Sequence, residues 1–167
     1  YDYPGKTVWS TVRMESPTLL TGTRITSGWV ESRTLHFAVE FSRPVDSYGL
    51  VNEEEEIYRG FWRRFERDRD FPERAGRALK CHFDWELGAG EQVLAKVALS
   101  SVSPQGAVRN LRAEAPGWDF DAVREETREA WNRELGRIVV EADDDVLTSF
   151  YTALYHSLLT PGLFSDV

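Results

Sequence analysis

The segment from Val146 to Leu159 constrains this chain more than any other. Its apolar residues, Val146, Leu147, Phe150, Tyr151, Ala153, Leu154, Leu158 and Leu159, cover more than one face at the 3.6-residue helical period. A helix of that kind needs cover on two sides. Pro161-Gly162 stops it. Six residues follow Pro161, and they hold no second hydrophobic helix. The expectation is therefore a piece of a longer protein, cut where a helical domain begins.

Upstream the pattern changes from helical to alternating. Thr7 to Glu15 sets Val8, Val12 and Met14 against Arg13 and Glu15, and Ser16-Pro17 ends it. Leu19 to Ile25 reads as a second strand with a bulge at Gly22. Arg33 to Ser42 is the clearest strand, with Leu35, Phe37, Val39 and Phe41 on one face and Thr34, His36, Ala38 and Glu40 on the other. Tyr48 to Val51 reads as a short strand, and Asn52 to Gly76 as a long surface excursion. Ala78 to Leu87 alternates again. Gly88-Ala-Gly90 then predicts a hairpin into a central return strand, Gln92 to Val102. The fold class expected is mainly β with C-terminal helices: an antiparallel β-sandwich over 1–103, linker helices over 104–141, and a first helix and loop of a helical domain over 142–167. Ser103-Pro104 begins the first linker helix and Asp119 caps the second, whose stripe Phe120, Val123, Thr127, Ala130, Trp131 and Leu135 should be buried. Gly136 stops that helix, and Asp143 to Asp145 suit the start of the last.

Composition removes several function classes. A net charge of −8 argues against a generic nucleic-acid or anionic-membrane partner. No apolar run approaches the ~20 residues of a membrane-spanning helix. The single cysteine, Cys81, excludes an internal disulfide and alternates inward with Phe83 and Trp85, as core rather than nucleophile. Glu53 to Glu56 reads as a solvated loop rather than a cation site. Asp143 to Asp145 runs straight into a helix without the glycine and terminal glutamate of an EF-hand, so it reads as a cap. His36, His82 and His156 share no ligand spacing; His36 and His82 fall on polar strand faces and His156 in the last helix, where a hydrogen-bonded structural histidine is expected. No residue is assigned as catalytic and none as a metal ligand. Trp29 follows a turn and suits a cleft, against core or domain packing. Asp166 is the one ionisable group in the loop after the last helix, where a bond to its own loop backbone is the ordinary role. Phe61, Trp62 and Phe65 either dock the excursion or face a partner.

The order of motifs resembles glycoside hydrolase family 92, the calcium-dependent exo-acting α-mannosidases. The carrying stretches are Ser27-Gly-Trp-Val30, Leu35-His-Phe-Ala-Val-Glu-Phe-Ser-Arg-Pro44, and Val97-Ala-Leu-Ser-Ser-Val-Ser103 with Gly106-Ala107 and Asn110-Leu111. Pro116-Gly-Trp-Asp-Phe120, Ala130-Trp-Asn132, Phe150-Tyr-Thr-Ala-Leu-Tyr-His156 and Phe164-Ser-Asp-Val167 complete them. The resemblance spans about residues 22–167 and is weakest over 52–76. It implies an N-terminal β-sandwich, connecting helices and an (α/α)6 barrel. It implies an inverting hydrolysis of terminal α-linked mannose from glycans, with Ca2+ in the full-length enzyme. The acid, the base and the calcium ligands would lie mainly on the barrel, outside this chain, so none is carried over. It also implies the rest of the helical barrel as a partner within the same chain, and a secreted or periplasmic location. With a site between sandwich and barrel, Trp29 and Asp166 become the substrate-proximal candidates, Asp166 binding sugar hydroxyls or orienting a neighbour. The rival class is a carbohydrate-binding or protein-interaction β-module without catalysis; the uncovered helix 146–159 stands against it.

Overall fold

The computed structural model describes residues 6–28, 30–53, 72–160, 162 and 164–167. Trp29 and the aromatics Phe61, Trp62 and Phe65 lie outside the described residues, as does most of the expected excursion. The described residues form strands β1 (Lys6–Ser16), β2 (Leu19–Ser27), β3 (Arg33–Phe41), β4 (Ser47–Asn52), β5 (Glu73–Gly76), β6 (Leu79–Asp84) and β7 (Ala95–Ser100). Helices α1 (Pro104–Glu114), α2 (Phe120–Leu135) and α3 (Asp144–Leu159) follow. The mainly β class with C-terminal helices is as expected. The chain divides into two compact units, Tyr1–Pro116 with Ser165–Val167, and Gly117–Phe164.

In the first unit a five-stranded antiparallel sheet, ordered β5-β1-β2-β3-β7, lies against a two-stranded sheet of β4 and β6. Strand alternation sorts the residues to the two faces. Val12, Met14, Leu20 and Leu50 are buried between the sheets, with Phe37, Val39, Tyr48, Cys81 and Phe83 packed against them. Phe41 extends this core, its ring 4.9 Å from Phe83 and 5.2 Å from Trp85. Burial holds the Cys81 thiol above its ordinary pKa, which fits a core side chain and not a nucleophile.

The opposite face of the larger sheet carries α1. Ala38, between Phe37 and Val39, is fully buried there with Ala107 and Leu111. Pro104 occupies the first turn of α1, and Ser103 Oγ accepts from the Gly106 amide at 2.9 Å, the cap that the sequence predicts. At the other end, Lys96 Nζ donates to the Ala115 carbonyl at 2.9 Å and pairs with Glu40 at 3.1 Å.

Three local readings are corrected. Gly22 is not a bulge: it pairs regularly with Val12 and Phe37, and the irregularities fall in β1, between Thr7 and Trp9 and between Met14 and Ser16. Glycine is needed because a Cβ there would overlap the Phe37 ring and stand 2.5 Å from the Thr11 carbonyl oxygen. The hairpin at 88–90 does not join two paired strands. β6 pairs with β4, whereas β7 pairs with β3 at the edge of the other sheet, where Val97 and Leu99 are exposed. The turn itself exists, with Gly90 at φ 82° and the Glu91 amide donating to the Gly88 carbonyl, but it lies inside a crossover between sheets. The strand β5, inside the expected excursion, pairs with β1.

In the second unit, Asp119 Oδ1 accepts from the Ala122 amide at 2.9 Å to start α2, and the Gly136 amide closes its last turn on Asn132. Trp131 packs on Tyr155 with ring centroids 4.6 Å apart, and Tyr151 Oη donates to the Ile138 carbonyl at 3.1 Å. Neither helix buries a residue completely. Phe120 and Val123 of the expected buried stripe are exposed, as is His156.

Candidate functional site

The polar face of the five-stranded sheet supplies the site. Antiparallel register places Thr23 opposite His36, and His36 opposite Ser100, so three polar residues from three strands lie in one row. Thr23 Oγ1 and His36 Nδ1 are 2.8 Å apart. Ser100 has no exposed surface. Its oxygen accepts from the Val102 and Ser103 amides at 3.0 and 3.1 Å, which commits its proton outward, to Asp166 Oδ2 at 2.7 Å.

Asn110, on α1, completes the arrangement and is also buried. Its Nδ2 donates to the Leu99 carbonyl at 2.8 Å and to Asp166 Oδ1 at 3.1 Å; its Oδ1 accepts from the Val167 amide at 3.1 Å. Gly106, one turn earlier on the helix, gives Asp166 room. A Cβ at Gly106 would overlap Asp166 Oδ2 and lie 2.6 Å from Ser100 Oγ.

Asp166 thus sits where the sequence could not place it. Among the described residues, the hydrogen bonds of its carboxylate run to a strand and a helix far away in the chain. The Ser100 hydroxyl holds its pKa below the ordinary carboxylate value. Desolvation opposes this, and the Asn110 amide and the charge of Arg109 reinforce it. A carboxylate kept ionised by two donors is an acceptor and an anchor, and is poorly suited to giving up a proton as a general acid. Other carboxylates are also committed: Glu40 to Lys96, and Asp84 as acceptor from Ser47 Oγ at 2.8 Å.

The comparisons with known proteins bear on this face. The family model described as the glycosyl hydrolase family 92 N-terminal domain matches residues 2–100, and the family 92 catalytic domain model matches residues 106–167. The chain belongs to glycosyl hydrolase family 92. It is 32% identical to a family 92 alpha-mannosidase of Bacteroides thetaiotaomicron, with a TM-score of 0.82 over 96% of this chain and 21% of that one. A structure of that mannosidase in complex with mannoimidazole matches similarly. A family 92 inverting mannosidase from strain VPI-5482 of the same organism is 28% identical, with a TM-score of 0.77 over 93% of this chain and 20% of that one. An uncharacterized secreted glycosidase of Arthroderma benhamiae is 35% identical over 75 residues, 42% of this chain and 10% of its own length. The chain therefore spans about a fifth of the solved family 92 relatives.

The calcium that the resemblance implies finds no fit among the described residues. The ion takes six to eight oxygen ligands. Among the described residues no three of His, Cys, Asp and Glu come together as a metal site. Each carboxylate oxygen of Asp166 accepts a hydrogen, one from the Ser100 hydroxyl and one from the Asn110 amide, a donor environment unlike that of a cation ligand. Among the described residues, no helix is long and apolar enough to cross a membrane.

Sequence reasoning singled out Asp166 as a site candidate, but named Ser100, Gly106 and Asn110, which hold it, only within the family-like stretches. The available signal was the small and polar series Gly106, Ala107 and Asn110 on one face of a helix beside a serine-rich strand end.

Proposed function

We propose that the protein carrying this chain is a glycosidase that removes terminal α-linked mannose from glycans by an inverting, calcium-assisted hydrolysis. The observation that supports it is the succession of two family 92 models along one chain, with 32% identity to an alpha-mannosidase across 96% of it. In this reading residues 1–103 are the sandwich, 104–141 the linker helices and 142–167 the start of the barrel. Inversion needs two carboxyls ~6.5–9.5 Å apart, one to protonate the leaving oxygen and one to activate water. Both are assigned to the remainder of the helical barrel, with the calcium ligands, so the 167-residue chain by itself turns over no substrate. Trp29 and Asp166 are the substrate-proximal positions, and the location is secreted or periplasmic, in keeping with the relative named as a secreted glycosidase.

The test is to incubate the complete protein with an α-linked mannoside and follow the anomer released by NMR, with and without a chelator. β-Mannose released first, with activity lost on chelation and restored by calcium, is expected. α-Mannose released first, or turnover by the 167-residue chain alone, overturns the reading.

A further inference from the structure

We propose that Ser100, Gly106 and Asn110 form a latch that positions Asp166 and the backbone at Val167 for the reaction, an inference that rests on the glycosidase reading above. The argument begins with chain connectivity. The chain leaves the sheet unit after Pro116 and rejoins it at Ser165. It rejoins on α1, the same helix from which it left, because Asn110 holds both the Asp166 carboxylate and the Val167 amide.

The latch also joins the two family 92 models. Ser100 is the last residue matched by the N-terminal domain model; Gly106, Asn110 and Asp166 lie in the catalytic domain model. The Ser100–Asp166 hydrogen bond, at 2.7 Å, therefore crosses the seam between them.

Donor and acceptor accounting shows how specific the arrangement is. Ser100 Oγ already accepts two backbone amides, so it can only donate to Asp166. Asn110 Nδ2 presents another hydrogen to the second carboxylate oxygen. Two donors facing two oxygens demand an acceptor on both, which a carboxylate provides and a carboxamide does not. The Arg109 guanidinium on α1 adds positive charge that favours the anion. Gly106 closes the selection sterically, since any side chain there takes the space of Asp166 Oδ2. None of these three residues touches a reacting atom in this account. They act through the position of Asp166 and Val167.

The experiment uses the complete protein with three variants. Gly106→Ala expels the carboxylate by volume, Asp166→Asn sets an N–H against a donor, and Gln105→Ala is a control at an exposed neighbouring position. The readouts are hydrogen exchange at the Val167 amide, kcat and KM on an α-mannoside, and Tm. The first two variants should speed Val167 exchange about tenfold, the loss of one net hydrogen bond. They should lower kcat about 10–100-fold, the scale of an ångström-sized misplacement, with KM close to that of the control; Asp166→Asn should also keep its Tm, whereas Gly106→Ala lowers it by crowding buried Ser100. Faster exchange with unchanged kcat would make the contact structural only, and unchanged exchange would remove the latch altogether. Should Gly106→Ala fail to fold, Asp166→Asn decides, because that side chain is half-exposed. If the wild-type protein releases no mannose, the glycosidase reading falls and the kinetic role with it, while exchange at Val167 still decides whether the segment is latched.

Discussion

The sheet unit and the helical pair use apolar residues to opposite effect. Strands β1, β2, β3, β4 and β6 carry modest alternating patterns, yet Leu20 and Leu50 are buried to 4% and 1% exposure. Helix α3 is the more continuously apolar segment, yet it buries nothing completely, and Val146, Leu158 and Leu159 are 53%, 44% and 48% exposed. The difference is the partner. Two sheets and a helix close on each other in the first unit; in the second, α2 covers one side of α3 through contacts such as Trp131 on Tyr155. Much of the remaining polar contact is local to α2 and its ends: the Asp119 cap and i,i+3 pairs such as Arg124–Asp121 at 3.2 Å and Arg137–Glu134 at 2.9 Å. Such pairs contribute about 0.2–0.5 kcal/mol each, an order of magnitude less than a filled core.

The sharpest way to break this comparison is Leu50→Ala. The side chain is enclosed by Val12, Met14 and Leu20, and the cavity left should cost about 2–5 kcal/mol. Denaturant unfolding of this chain, followed by a probe in the sheet unit, measures it. A loss under about 1 kcal/mol would mean the two sheets do not form the core described. Gly22→Ala is next. One obstacle to the new methyl is a backbone oxygen, Thr11 O at 2.5 Å, which cannot rotate away, so a loss of about 1–3 kcal/mol is expected by the same measurement. A bulge at Gly22 would instead have accommodated alanine with little change.

Leu158→Ala probes the other side of the comparison. In this chain the residue is 44% exposed, so stability should change by no more than about 0.5 kcal/mol. In the complete protein, where the family 92 reading puts the rest of a helical barrel over α3, the same substitution should cost about 2–5 kcal/mol. Equal effects in the two contexts would show that α3 gains no cover.

The strands and helix caps were legible because they are local. Alternation marked the faces of β1 and β3, and Ser103 and Asp119 marked the starts of α1 and α2. Strand partners were not legible. Alternation in β6 and β7, with glycines between, is equally consistent with a hairpin and a crossover, and the choice is made by β4 and β3 elsewhere in the chain. The four residues of β5 carry no alternation to read; their pairing with β1 creates the strand. Asp166 stood out as the one ionisable group of its loop. Its partners, Ser100 and Asn110, are 66 and 56 residues away, a relation that no local pattern encodes.

The smallest effect concerns the crossover that replaced the expected hairpin. Arg43 Nη1 lies 2.8 Å from Glu91 Oε2, which also accepts from the Gly88 amide at 2.9 Å, so a long-range pair secures the turn. The hydrogen bond from Arg43, then that from Gly88, then the charge of Arg43 hold the Glu91 pKa below its ordinary value. A depressed carboxylate pKa stabilises the fold above the unfolded value, near 4.3 for glutamate. That contribution is lost as pH falls through the lower folded value. Because both side chains are open to solvent, screening leaves little of it in the total stability. The pair is better read at the residue than in an unfolding curve. In Arg43→Ala, NMR titration should move the Glu91 midpoint up towards its ordinary value, while the remaining Gly88 bond keeps it from returning fully. The helical pair offers the contrast, since Arg124 and Arg128 face partners three residues away on the same helix. An unmoved Glu91 midpoint would show that Arg43 does not secure the turn, leaving it to the two bonds between Gly88 and Glu91.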